Sequence, residues 1–240
     1  MSGPICAACW DGVRLFTPPV CDRCGDPLPS WRGISLRTCL CPRCRRGTRS
    51  VSRSRAAGAY EGSLRAIIHA LKYDGRRSIA PRLAAMLRVQ GREVLDGSDC
   101  TVPVPLHWRR QRVRGFNQAA ELASHLGLPV CHALRRVRWT RPQIELPASR
   151  RHRNVRGAFA LVRPSWWASG HASVRQSIRQ RCVVLVDDVS TTGATLEACA
   201  RVLRAAGARE VRTLTVARVA ARRPTGPQQP RPASVARRQS

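Results

Sequence analysis

The chain has 240 residues, 43% apolar and only 5% aromatic, and its 43 Lys plus Arg outnumber 14 Asp plus Glu to give a formal charge of +29. That length holds one ordinary α/β domain plus something small, or two modest domains, and the charge predicts binding to polyanions, although every basic residue except Lys72 is arginine and a compositional bias therefore shares in the excess. No stretch reaches the roughly 18–20 consecutive apolar residues of a bilayer span, and the start, MSGPICAACW, lacks the charged-then-apolar order of a signal peptide, so a membrane-spanning protein is set aside and a cytoplasmic location is expected.

The first 44 residues carry seven of the eleven cysteines and six prolines. They show no sustained period of 3.6 or 2, so a metal has to order them. The pairs Cys6/Cys9, Cys21/Cys24 and Cys41/Cys44, with Cys39 extra, have the spacing of tetrahedral zinc–thiolate knuckles, closed and structural. Three pairs are one too many for one zinc and one too few for two. Cys6/Cys9 with Cys21/Cys24, and Cys21/Cys24 with Cys41/Cys44, both remain open. Residues 1–50 are thus expected to form a double zinc-ribbon-like module, and 45–56 an Arg/Ser-rich link. The other cysteines read as small buried residues, and the six histidines show no metal-ligand spacing.

From residue 57 to 219 the pattern is that of one α/β domain. Ser63–Tyr73 places Leu64, Ile67, Ile68 and Leu71 on one helical face, with Ser63 as N-cap. Ser78–Val89 is a second helix, with Pro81 in its first turn. Thr101–Pro105 is a short strand. Asn117–Leu126 is a helix stopped by Gly127, and 129–133 reads as another strand. Residues 135–180 are a polar, Arg-rich excursion with an insertion around Trp166, Trp167 and Gly170. The apolar run 182–187 looks like a central parallel strand buried on both faces, followed by a helix over Thr195–Ala206 and a strand over Val211–Val216. This alternation predicts a parallel α/β sheet. The tail, 220–240, is rich in Pro, Arg, Gln and Ser and is expected to be disordered.

Two segments carry chemistry. In CVVLVDDVSTTGAT, Asp187 and Asp188 stand at the end of the strand, with Ser190, Thr191, Thr192, Gly193 and Thr195 leading into a helix. Hydroxyls and helix-start amides can wrap a phosphate monoester, and the carboxylates can accept from a ribose diol or hold Mg²⁺ through water. In VPVPLHWRRQRVRGFNQAAELA, Arg109, Arg110, Arg112 and Arg114 fall within six residues ahead of Asn117, a set suited to pyrophosphate or nucleic-acid phosphate. Trp108 and Trp139 sit beside arginines, where stacking on bases competes with ordinary rim packing.

The string VVLVDDVSTTGAT resembles the phosphoribosyl-pyrophosphate (PRPP) signature of type I phosphoribosyltransferases. Together with RGFNQ, YEGSLRAIIHALKYDGRR (60–77), RPQIELPASRRHRNVRGAF (141–159) and the Cys pairs, the chain from about 4 to 218 is similar to the ComF family. The resemblance implies a type I phosphoribosyltransferase fold, a Rossmann-like parallel sheet, behind a small Cys-rich zinc-binding module. It implies ribose binding by Asp187 and Asp188, 5′-phosphate binding by Ser190, Thr191, Thr192, Gly193 and Thr195, and pyrophosphate or phosphate binding by Arg109, Arg110, Arg114 and Asn117. It also implies structural zinc on Cys6, Cys9, Cys21, Cys24, Cys41 and Cys44, and Mg²⁺ accompanying PRPP. Residues 141–159 would occupy the place of the mobile loop over PRPP. The family suggests a role in DNA uptake or processing during natural transformation, with single-stranded DNA and the uptake machinery as partners. The alternatives are a salvage phosphoribosyltransferase, against which no nucleobase hood can be read, and a non-catalytic single-stranded-DNA module. No residue declares itself as nucleophile or general base.

Overall fold

The computed structural model describes residues 4–28, 39–47, 49–138, 155–162 and 174–219. Four parallel strands are β1 (Arg53–Ala59), β2 (Cys100–Pro103), β5 (Cys182–Ser190) and β6 (Glu210–Arg218), and β3 (Leu134–Arg136) with β4 (Phe159–Leu161) forms a separate antiparallel pair. The sheet order is β1-β6-β5-β2. β5 is the expected central strand, and its side chains alternate between two cores. Val183 and Leu185 join one with β4 and the last long helix, while Val184 and Val186 join the other with the helices before β2. A strand buried on both faces has no polar face to offer, which is why 182–186 reads as an unbroken apolar run.

The helices supply the outer layers. α1 (Ala7–Asp11) and α2 (Pro42–Arg45) are single turns in the Cys-rich segment. The rest are α3 (Gly62–Tyr73), α4 (Ala80–Gln90), α5 (Arg92–Leu95), α6 (Trp108–Arg114), α7 (Gln118–Ser124), α8 (Val174–Ile178) and α9 (Ala194–Ala205). α3 buries Leu64, Ile67, Ile68 and Leu71 as its period requires, each contributing roughly 1.5–3 kcal/mol of burial. Its N-cap is Glu61 rather than Ser63, and no side chain caps it. α4 starts at Ala80, with its proline in the first turn.

Three expectations about strands change. β1 begins inside the stretch read as a link; RSRAAGA has neither β-branched residues nor clean alternation, and its strand state comes from pairing with β6 over Arg53–Ala59. The strand expected at 129–133 is reduced to one bridge between Val130 and Thr101, and pairing begins at Leu134 instead. β5 runs on to Ser190, with Val189 opposite Ala217 and Ser190 opposite Arg218, so the strand continues two residues past the acid pair expected at its end.

The Cys-rich segment is joined to the sheet at its β1 edge. Phe16 N–H donates to Ala57 O at 2.9 Å, and Ser54 N–H donates to Arg23 O at 2.8 Å. Leu15 bridges Gly58, where a Cβ would lie 2.3 Å from Arg14 O; only glycine admits that approach. Arg55 and Arg218, both buried, donate to the carbonyls of Cys21 and Cys24. An edge strand with unpaired backbone groups invites association with other chains, and this cover removes it. Ile5, Trp10 and Val13 pack onto the α3–α4 core.

Candidate functional site

Because β2 and β5 are parallel, the segments that leave their C-terminal ends emerge on the same side of the sheet, where α/β proteins bind ligands. A cleft of about 210 Å³ opens there, lined by Asp187, Asp188, Thr191 and Thr195 from the β5 side and by Arg110, Arg114 and Arg136 across from them, with Tyr60, Lys72 and Tyr73 completing it. Two carboxylates thus face four cationic side chains.

The two acids sit in different environments. Asp188 is ion-paired with Lys72, whose Nζ lies 3.0 Å from its Oδ1. Asp187 Oδ1 accepts the Asp188 N–H at 2.9 Å. Burial, followed by the charge of Asp188, pushes Asp187 up to about 7, against the pull of Lys72 and Arg136. Arg136 is itself drawn below its ordinary value, by burial and then by Arg110.

The turn after β5 combines an uncapped helix start with unpartnered hydroxyls. Gly193 has φ +78° and is the N-cap of α9, with no side-chain cap bond. A residue with a Cβ is strained in that region, and a helix start without a cap leaves its first N–H groups directed outward, with the dipole favouring negative charge. Thr192 Oγ1 and Ser190 Oγ are buried with no hydrogen-bond partner among the described residues, an expense a structure seldom carries without use. Ser190 and Gly193 border a smaller cavity toward Cys24, Ser54 and Arg218 rather than the main cleft.

The basic segment is the helix α6. His107 caps its start by accepting from Arg109 N–H, and Gly115 ends it in the left-handed region. Helical spacing splits the arginines. Arg110 and Arg114 are one turn apart and face the cleft; Arg114 donates to Gln118 Oε1 and to the Tyr73 hydroxyl, each at 3.3 Å. Trp108 is 52% exposed and Val113 88% on the outer face, with the guanidiniums of Arg109 and Arg112 at 5.2 and 4.9 Å from the Trp108 ring centre. Arg109 is therefore placed outside the cleft lining. Asn117 is committed locally: its Oδ1 accepts from Ala119 N–H at 3.0 Å as the N-cap of α7, and its Nδ2 donates to Val104 O at 3.1 Å. It ties α7 to the end of β2.

The second centre is the Cys cluster. The Sγ atoms of Cys21, Cys24, Cys41 and Cys44 lie within 4.8 Å of one another, all buried, and could hold one metal ion. Cys24 Sγ and Cys41 Sγ are 3.6 Å apart, close to the edge of about 3.8 Å that a tetrahedron with zinc–sulfur bonds of about 2.3 Å requires. Cys41 N–H donates to Cys21 Sγ. The Cys24 thiol beside it, opposed by burial, holds Cys21 down at about 4. Cys6 and Cys9 do not join this group; Cys6 is exposed at the start of α1. Of the two pairings left open by spacing, the fold brings together Cys21/Cys24 with Cys41/Cys44.

Lys72, Tyr60, Tyr73 and Arg136 were not legible as site residues. Lys72 alone carried a signal, as the single lysine of an arginine-rich chain. Trp139, residues 141–154, the 163–173 insertion and the 220–240 tail lie outside the described residues. Among the described residues, no helix is long and apolar enough to cross a membrane.

Residues 112–231 match the family described as "Phosphoribosyl transferase domain". The chain is 30% identical over 224 residues to Competence protein F of Haemophilus influenzae and 31% identical over 224 residues to DNA utilization protein YhgH of Escherichia coli K12, in each case across 89% of this chain and 90% of the relative. It is 27% identical over 201 residues to Competence protein ComFC of Bacillus subtilis, covering 83% of this chain and 77% of that protein.

Proposed function

The chain belongs to the ComF family, proteins with a phosphoribosyltransferase domain, and from that premise we propose that its cleft binds PRPP or a phosphoribosyl group. The observation that carries this reading is the acid pair near the C-terminal end of the central strand, followed by an uncapped helix start and faced by Arg110, Arg114 and Arg136. Asp187 and Asp188 take the ribose hydroxyls. Thr191, Thr192 and Thr195, with the amides after Gly193, take the 5′-phosphate, whereas Ser190, expected in the same role, faces the smaller cavity instead. Arg110, Arg114 and Arg136 take the pyrophosphate, guanidinium forks being well matched to phosphate oxygens, while Asn117 holds α7 to the end of β2 and Arg109 lies outside the cleft.

Such a site supports transfer at C1 of the ribose. The C1–O bond breaks, its electron pair leaves with pyrophosphate, and the bond to an acceptor forms at the oxocarbenium-like carbon. The three arginines neutralise the charge developing on the leaving group. Mg²⁺, which the resemblance brings with PRPP, does not fit the acid pair as built, because the Lys72 ammonium already holds Asp188; no step is assigned to it. Zinc fits the four buried thiols, where it would be structural, with no open position for chemistry.

The role we propose is in competence, in the handling of incoming DNA beside the uptake machinery. The outer face of α6 supports single-stranded DNA as the polymer partner. An exposed tryptophan under two guanidiniums is a stacking platform with backbone charge nearby, on the helix whose inner face lines the cleft. Titration calorimetry with PRPP, with ribose 5-phosphate alongside, tests the reading: micromolar binding of PRPP supports it, and no binding of either ligand contradicts it. Release of pyrophosphate with a free nucleobase as acceptor would instead favour a salvage enzyme.

A further inference from the structure

Lys72 is the single lysine of the chain, and it is not at the surface. Its Nζ lies 3.0 Å from Asp188 Oδ1, the two side chains being 14% and 11% exposed, and it lines the cleft beside Arg110, Arg114 and Arg136. Burial alone would discharge such a lysine. Asp188 opposes that, aided by Asp187 and Tyr60, and the net pull on Lys72 is upward. The acid pair therefore carries a resident cation.

A divalent cation would need the same ground. Mg²⁺ takes near-octahedral oxygens at about 2.0–2.1 Å, from one or two carboxylates plus substrate phosphates. Here one Asp188 oxygen is held by the ammonium and one Asp187 oxygen accepts a backbone N–H. A further double charge beside Lys72 and three arginines is repelled across a partly desolvated cleft. An ammonium has three donors; with one on Asp188, two remain for ligand oxygens.

On the reading that the cleft takes a phosphoribosyl ligand, we infer that the Lys72 ammonium stands where a divalent cation would otherwise bridge the acid pair and the pyrophosphate, so that this chain binds PRPP without a divalent metal. Lys72 is then a specificity-determining residue: it fits the site to the free anion rather than to its magnesium complex.

The test titrates the full-length protein, as purified, with PRPP in buffer freed of Mg²⁺ and again with Mg²⁺ in excess, with ribose 5-phosphate in parallel. Wild-type affinity for PRPP is expected to agree within about threefold between the two buffers, whereas Lys72→Ala binds about tenfold or more weakly without Mg²⁺ and recovers when it is added. If that variant does not fold, the wild-type comparison decides alone. PRPP binding that requires Mg²⁺ in the wild type, with ribose 5-phosphate bound in either buffer, overturns the inference and leaves the phosphoribosyl reading standing. A folded Lys72→Ala protein indifferent to Mg²⁺ also overturns it. Failure of both ligands in both buffers overturns both.

Discussion

Asp187 and Asp188 are adjacent in sequence but not equivalent. One is paired with Lys72; the other is raised to about 7, chiefly by its burial. Ribose hydroxyls donate best to an ionised carboxylate. PRPP affinity is therefore predicted to rise with pH through about 7, and the rise to disappear in Asp187→Asn, as followed by titrations across that range. The same shift acts on folding: a carboxyl whose folded pKa is raised lends its relative stability at low pH and loses it as pH climbs from its unfolded value near 4 toward 7. Asp187→Asn should thus flatten the decline in stability over that window, which denaturant midpoints at several pH values would measure. The acid pair itself was readable in the sequence because strand, acids, hydroxyls and glycine are contiguous. The place of Lys72 beside it was not, because the two lie more than a hundred residues apart and tertiary packing of α3 against the strand ends brings them together.

At the level of elements, α6 divides its side chains between two faces by helical geometry alone. Residues one turn apart share a face, so Arg110 and Arg114 point to the cleft while Trp108 and Arg112 point away. We predict that Arg110→Ala with Arg114→Ala weakens PRPP binding about tenfold or more and that Trp108→Ala leaves it unchanged. For single-stranded DNA the order reverses, Trp108→Ala costing roughly 1–3 kcal/mol, as one lost stacking contact does; fluorescence anisotropy with a labelled oligonucleotide reads it. Sequence reasoning identified the arginines but not their division, since RRQRVR between two loops has no apolar period to reveal a helix. β1 escaped for a related reason. RSRAAGA has weak strand propensity, and its state is imposed by β6 on one side and the Cys-rich cover on the other. The central strand and its helix were legible because burial on both faces leaves so plain an apolar run.

For the whole molecule, the Cys centre and the cleft share a frame. Arg218, the last residue of β6, donates to Cys24 O at 2.6 Å and pairs with Asp26, and across the strands it lies opposite Ser190. If the four thiols hold a metal, its loss should loosen the β1 edge. Cys44→Ser is then predicted to release it and lower Tm by on the order of 10 °C, whereas Cys6→Ser retains it; elemental analysis with thermal unfolding checks both, and settles in solution which pairs form the centre. Spacing alone could not choose, because knuckles pair through the fold and not along the chain. The charge of +29 acts at this scale too: DNA affinity should fall steeply with salt. The account as a whole stands on the acid pair, so the most direct measurement is PRPP calorimetry on the wild type and on the Asp187→Ala, Asp188→Ala double variant, with a 5′-phosphorylated single-stranded oligonucleotide titrated in parallel. The account predicts wild-type binding that vanishes in the double variant, with the fold and metal content intact. Unchanged PRPP affinity in that variant, or DNA binding with none for PRPP, would contradict it.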